Sequence, residues 1–331
     1  MHLKGCIIST NILQETYMKH TDFIRYINRV DELTSKQKIK LSDLLQSKDK
    51  DNVIIKTLEK RFSDVGHCPH CKHHKFQRWG KAHEMQRYRC NNCMKTFNSV
   101  TGTPLARLRK KDKWLCYSKA MIDGLSVRKA AEMCGVNKTT SFRWRHRFLH
   151  KLKDKKDKSL NGIVEADETF FLESFKGSRK MKRTPRKRGG KATKRGLSTE
   201  QIPVLIARDR HGDMTDEVLK NTGEISITKV LKPVVAHDAI LCTDGNKFYQ
   251  AFAKTENIKH VQLVASQNCR VIDRVYHIQN VNAYDSRLKA WMHRFKGVAT
   301  KYLPNYMGWR RCLEKQKNFI TPPTYFNCAL G

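Results

Sequence analysis

Two cysteine pairs, Cys68-Pro69-His70-Cys71 and Cys90-Asn91-Asn92-Cys93, have 18 residues between them. Knuckles of the form CxxC at that spacing bring four thiolates to one tetrahedral centre, the ligand set of a zinc ribbon. This constrains the fold more tightly than any other stretch: residues 63–104 must form a small unit whose core is the metal and a few aromatic rings. Gln86-Arg87-Tyr88-Arg89-Cys90 alternates as a ribbon strand does, with Trp79, Tyr88 and Phe97 placed to cover that core. Zn²⁺ is the expected structural cofactor, with Cys68, Cys71, Cys90 and Cys93 as ligands. His67, His70, His73 and His74 are substitute ligands that the four cysteines make unnecessary, so they read as exposed or phosphate-facing. Cys6, Cys116, Cys134, Cys242, Cys269, Cys312 and Cys328 follow no framework, as in a reducing compartment.

On the amino-terminal side, residues 1–62 show helical periodicity in Phe23, Ile24 and Ile27, in Leu41, Leu44 and Leu45, and in Val53, Ile54 and Leu58. A helical arm is expected, with the polar run Ser47 to Asn52 as a loop within it. On the other side, residues 105–158 hold a helix-turn-helix pattern: Ser126 caps a first helix, Ala130 and Ala131 permit close crossing, Gly135 turns the chain, and Asn137 caps a second helix. Trp144, Phe148 and Leu152 face a core, which leaves Lys138, Thr139 and Arg143 outward as DNA-contacting residues. An ordinary helical hairpin is the bland alternative. Charge favours the first reading: 66 Lys and Arg against 31 Asp and Glu give +35, which calls for a polyanionic partner. No apolar run approaches the roughly 18 residues of a spanning helix. The amino terminus lacks the apolar length of a secretion signal, so no membrane partner and an intracellular, nucleoid-associated location are expected.

A basic linker, Lys151 to Lys158, leads into residues 159–331. Gly162-Ile163-Val164-Glu165-Ala166-Asp167 reads as a buried strand ending in carboxylates, and Ala239-Ile240-Leu241-Cys242-Thr243-Asp244-Gly245 repeats the pattern. A buried ionised Asp needs a compensating partner, and a divalent cation is the strongest available. Adjacent strands lie about 4.8 Å apart, so Asp167 and Asp244 on neighbouring strands can share two ions about 4 Å apart. Glu165 shares the strand face of Asp167 while Glu168 points the other way, and either can instead face solvent. Between the two strands, residues 176–196 crowd Lys and Arg around Gly189-Gly190; Arg186, Lys187 and Arg188 are expected to add phosphate affinity from a mobile loop. Gln201 to Asp209 is a further strand, Gly212-Asp213 a turn towards another, and Phe248 to Lys254 and His260 to Val264 continue as helix and strand. Val281 to Met292 reads as a helix, on which Asn282 and Lys289 share a face two turns apart.

Together these residues resemble the bacterial insertion-sequence transposases that carry a zinc ribbon and helix-turn-helix ahead of a DDE-type catalytic domain, in the subgroup whose acidic triad reads D, D, N followed by K. The resemblance runs from about residue 60 to the carboxyl end. It is most specific at Glu165-Ala166-Asp167-Glu168-Thr169, Phe175-Lys176-Gly177-Ser178-Arg179, Thr243-Asp244-Gly245, His277-Ile278-Gln279-Asn280-Val281-Asn282 and Phe295-Lys296-Gly297-Val298-Ala299-Thr300-Lys301-Tyr302. By position it implies Asp167 and Asp244 as the two acids, Asn282 in place of a third, and Lys289 as the basic residue after it. Mg²⁺ or Mn²⁺ is the implied catalytic cofactor, held by Asp167, Asp244 and Asn282. The family has His where this chain has Asp285, which is a departure and a second candidate for the third ligand.

The resemblance also implies an α/β fold: a ribonuclease-H-like mixed sheet flanked by helices, preceded by the four-cysteine zinc ribbon and the helix-turn-helix unit. It implies double-stranded DNA partners, both element ends and target, cleaved and joined by a homo-oligomer. Two other readings stand beside it. A catalytically inactive, transposase-derived regulator would keep the DNA-binding units alone. A junction-resolving nuclease would share the catalytic fold but have less use for a sequence-reading arm.

Overall fold

The computed structural model describes residues 20–83, 85–181, 183–187, 189–190, 192–194, 198–317 and 319–331. The first nineteen residues of the expected arm lie outside the described residues, as do Lys182, Arg188, Lys191 and Arg195 of the basic loop. The chain divides into two compact units, Met1–Asn52 and Val53–Gly331. In the first, helix α1 (His20–Asn28) carries Phe23, Ile24 and Ile27 exposed, and helix α2 (Ser35–Val65) begins. The run Ser47 to Asn52, expected as a loop, is helical. It contains no Gly or Pro, and its Lys, Ser and Asp each disfavour a helix by less than about 1 kcal/mol.

Within the second unit the later part of α2 buries Ile54, Leu58 and Phe62. Strands β1 (Phe76–Ala82), β2 (Met85–Cys90) and β3 (Thr96–Asn98) form an antiparallel sheet in that order. Its core holds Phe62, Phe97, Cys68 and Cys90, with Phe76 and Tyr88 against them. Phe62 stacks on Tyr88 at 4.7 Å between centroids, so a ring supplied by α2 completes what three short strands cannot enclose. Trp79, expected in this core, is exposed, with the Arg89 guanidinium 4.6 Å from its ring.

Three helices follow: α3 (Trp114–Ile122), α4 (Val127–Met133) and α5 (Lys138–Leu149). Ser126 accepts a hydrogen bond from the Lys129 N–H at the start of α4, and Asn137 accepts from Thr139 at the start of α5. Gly135 makes the turn between them in the left-handed region, φ +61°, where other residues are strained. Trp144, Phe148 and Leu152 are buried; Lys138, Thr139 and Arg143 are exposed.

The larger sheet comprises β4 (Ile163–Leu172), β5 (Gln201–Asp209), β6 (Met214–Val218), β7 (Ile240–Thr243) and β8 (Lys259–Gln262), in the order β6-β5-β4-β7-β8. β5 and β6 run antiparallel to their neighbours, whereas β4, β7 and β8 are parallel. Side-chain alternation divides the sheet's two faces. Val164, Ala166, Leu205 and Ala207 pack with α6 (Glu224–Leu231) and α7 (Lys247–Thr255). Val204 and Ile206 pack on the other face with α8 (Gln279–His293) through Val281, Tyr284 and Leu288.

Helices α9 (Leu303–Lys315) and α10 (Pro322–Leu330) join this layer to α3 and α5. Trp114 of α3 meets Phe326 of α10 at 5.7 Å, and Arg145 of α5 lies 5.0 Å from the Trp309 ring of α9. Buried Arg311 donates to the carbonyls of Leu152, Lys153 and Lys155 and pairs with Asp216 on β6. Gly308 lies so close to the Leu152 backbone that a Cβ there would collide with it. The helix-turn-helix pattern is thereby seated on the sheet through one continuous core.

Candidate active site and metal centres

The ribbon thiols fit zinc. All four sulfurs lie within 4.8 Å of one another, with Cys68 and Cys93 at 3.8 Å and Cys71 and Cys90 at 3.5 Å. Tetrahedral Zn–S bonds of ~2.3 Å place sulfurs ~3.8 Å apart. The His70 and Asn92 N–H groups donate to Cys68 and Cys90 sulfur, each at 3.4 Å. The His73 N–H helps to hold the Cys71 thiol down at about 6, which favours the thiolate a metal takes.

The carboxylates gather around β4. That strand is longer than expected, and Asp167 sits in its middle, not at its end. Its parallel pairing with β7 stops at Glu165 opposite Cys242; continued two places, the register brings Asp167 level with Asp244, just past β7. Parallel neighbours lie about 4.8 Å apart, so the two side chains leave adjacent strands at one level. Asp244 is fixed by its bond from the Asn246 N–H, 3.0 Å, and Asn246 in turn caps α7. Burial is the main cause that raises the Asp167 carboxyl to about 6; the negative charges of Asp244 and Asp285 add to it, while Lys289 opposes it. On the opposite face, burial is the main cause that lifts Glu168 to about 7, and among the described residues the buried Tyr249 hydroxyl has no hydrogen-bond partner. One Glu168 oxygen is buried without a hydrogen-bond partner.

Helix α8 supplies the remaining expected residues. Asn282 is exposed on its first turn, and among the described residues no hydrogen bond joins it to Asp167 or Asp244. Asp285 and Lys289 follow on the same face and pair with each other at 2.9 Å. The structure thus brings Asp167, Asp244, Asp285 and Lys289 into one electrostatic group, with Asn282 one turn from Asp285.

Glu165 has a different part from either considered for it. It is fully buried and accepts from the Asn280 and Val281 N–H groups at 2.8 and 3.0 Å, and from the Asn280 side chain at 2.8 Å. Ile278, at the N-cap of α8, has no polar side chain, so Glu165 supplies the cap from a neighbouring strand. Arg210 at 3.1 Å and His277 at 3.5 Å complete its surroundings. Its parity with Asp167 was the available signal; its partners lie too far along the chain to be read locally.

In the basic loop, Arg183 and Arg186 both donate to the Glu173 carbonyl, and Arg186 pairs with Glu200 at 3.3 Å. Those two positions are tied to the end of β4, and Arg186 also to Glu200. Lys187 is exposed.

A mixed sheet of order β6-β5-β4-β7-β8 flanked by helices is the ribonuclease-H-like arrangement expected from the sequence. Residues 159–310 match the family described as the ISXO2-like transposase domain. An uncharacterized protein in transposable element ISH50 of Halobacterium salinarum is 27% identical over 254 residues, covering 75% of this chain and 84% of that protein. These two likenesses support an insertion-sequence transposase. Among solved structures it is similar to a chain of the simian T-cell lymphotropic virus intasome in complex with the PP2A regulatory subunit B56 gamma, at 11% identity and a TM-score of 0.28. That match covers 58% of this chain and 66% of the other. A chain of the pre-cleavage Mos1 transpososome is similar at 14% identity and a TM-score of 0.21, covering 64% and 76%. Among the described residues no helix is long and apolar enough to cross a membrane.

Proposed function

We propose that this transposase binds the terminal inverted repeats of its element and catalyses metal-dependent DNA cleavage and strand transfer at Asp167 and Asp244. The observation that carries the reading is that the parallel β4–β7 register, continued two places, brings Asp167 level with Asp244 just past β7, where the charge of Asp244 acts on the Asp167 carboxyl. Their surroundings fit a divalent cation: a carboxyl raised first by burial and then by two neighbouring acids is unfavourable in its charged form unless positive charge is added. Asp167, Asp244 and Asn282 are the residues that would hold Mg²⁺ or Mn²⁺, which when bound activates an attacking hydroxyl and stabilises the leaving oxygen. Asn282 offers a neutral carbonyl oxygen, a weaker ligand than a carboxylate. Lys289 holds a DNA phosphate beside the carboxylates once Asp285 releases it, and Glu165 fixes α8 so that Asn282 and Lys289 stay in reach.

Sequence reading belongs to residues 105–158, with Lys138, Thr139 and Arg143 at the DNA, and the ribbon of residues 63–104 holds structural Zn²⁺ beside it. Residues 159–331 form the catalytic domain, whose last helices seat the recognition unit. Arg186, Lys187 and Arg188 add phosphate contacts, Arg186 only if its pairing with Glu200 opens. The partners are the element's double-stranded ends and target DNA, met by a homo-oligomer on the DNA of the cytoplasm.

The test uses duplexes copied from the inverted repeats beside the gene. With Mg²⁺ or Mn²⁺ the protein nicks or joins them, and Asp244→Ala abolishes this, by about 10³-fold or more, while leaving end binding within about twofold. Full activity in the variant, or activity without metal, overturns the assignment. End binding without cleavage by the wild-type protein would favour the regulator.

A further inference from the structure

A cavity of 680 Å³ opens where β4 leaves the sheet, between the basic loop and the carboxyl end of α8. Its walls include Phe171, Phe175 and Met292, and at its mouth stand the exposed side chains of Lys187, His293 and Lys296. Arg183 lies 5.4 Å from the Phe175 ring and ties the loop to the Glu173 carbonyl, so side-chain contacts within the chain hold this wall.

The same two elements carry the carboxylate group. Phe171 lies four residues beyond Asp167 on the same face of β4, about 13 Å along the strand. His293 lies one turn beyond Lys289 on α8, about 6 Å along the helix. A DNA strand held at the carboxylates therefore passes the cavity within about four nucleotides, at ~3.4 Å rise per nucleotide. The cavity is too small for a duplex and large enough for one base with its sugar. Aromatic and thioether walls accept the face of a base, and cations at the mouth suit the flanking phosphates.

Resting on the reading of Asp167 and Asp244 as the cleavage site, we infer that this cavity takes one nucleotide displaced from the stack, within four positions of the scissile phosphate. The base enters between Phe171, Phe175 and Met292, while Lys187 and Lys296 hold the backbone on either side. Extrusion bends the strand locally and presents the neighbouring phosphate to the carboxylates.

The experiment places 2-aminopurine at each of four positions on either side of the cleavage point in duplexes copied from the inverted repeat, bound to the full chain without divalent metal. Fluorescence should rise about threefold or more at one position and stay low at the others. Phe175→Ala and, separately, Met292→Ala should cut the extruded fraction about tenfold, with end affinity changed by less than about threefold. No enhanced position in a complex that still binds the end overturns the inference, and so does a rise that persists in both variants. Saturation of the cavity by free 2-aminopurine nucleotide at micromolar concentration, without DNA, would assign it to a soluble nucleotide and overturn it too. Failure of the underlying reading shows separately, as cleavage that survives Asp244→Ala.

Discussion

The two places where this chain gathers metal-ligating side chains are built in opposite ways. In the ribbon, the ligands are part of the core: among the described residues Cys68 and Cys90 are buried with Phe62 and Phe97, against partly buried Phe76 and Tyr88, at a sheet of three short strands. In the large sheet the core stands without the carboxylates. Leucines, valines and alanines fill both faces, and Asp167 and Asp244 are only partly buried beside them. Zinc bound in the first region would therefore contribute folding free energy, whereas a cation in the second would only relieve a local repulsion that the sheet already tolerates.

The largest effect that tests this contrast is removal of zinc. Chelation, or Cys90→Ser, is expected to unfold β1 to β3, removing on the order of 10 kcal/mol of local folding free energy. The unfolding transition of the large sheet should survive. Calorimetry and amide exchange read the two regions separately, and one cooperative loss of both would break the comparison.

Next in size is Glu165→Gln. Removing the charge leaves Arg210 without its buried partner and weakens the cap of α8, for a loss of about 3–5 kcal/mol in urea unfolding. A change below about 1 kcal/mol would mean that Arg210 and the helix end find other partners.

A smaller effect of opposite sign is expected at Asp167. Its folded-state carboxyl, at about 6, lies above the ordinary value of 3.8. The protonated form is thus favoured by folding: the contribution is full below pH 3.8 and is lost as pH rises through 6. Asp167→Asn keeps a neutral side chain at every pH, so the metal-free variant should be more stable than wild type by about 1–3 kcal/mol at pH 8. At pH 4 the two should nearly coincide. Denaturant midpoints across that range check the slope, and a gap that does not vary with pH would show that the fold does not raise this carboxyl.

What could be read in the sequence follows from how local each signal is. The thiol pairs, the caps Ser126 and Asn137, the turn at Gly135 and the strand ending just before Asp244 depend on neighbours within a few residues, and the structure has them; the strand through Asp167 is there too but runs on to Leu172. The helix through Ser47 to Asn52 was hidden because a polar run without Gly or Pro suits loop and helix alike. Phe62 replaced Trp79 in the ribbon core because the choice depended on where α2 lies. Glu165 to α8, and Arg311 to Asp216 and the Leu152 carbonyl, are contacts across 95 residues or more, invisible to periodicity.

The smallest effect sharpens the comparison most, because it separates charge from packing. The Asp285–Lys289 pair is half exposed at its Lys end and spaced i,i+4, so breaking it should change stability by only about 0.5 kcal/mol. Yet the two charges act on Asp167 in opposite senses, Asp285 raising its carboxyl and Lys289 lowering it. Asp285→Asn should therefore move the Asp167 titration down and Lys289→Met should move it up, read by carboxyl NMR in metal-free protein. The double variant should fall between them. If both single variants shift it the same way, the pair acts by altering the burial of Asp167, and the site responds to packing as the ribbon does. If they shift it oppositely with stability unchanged, α8 tunes the carboxylates by charge alone, through a sheet that holds its shape regardless.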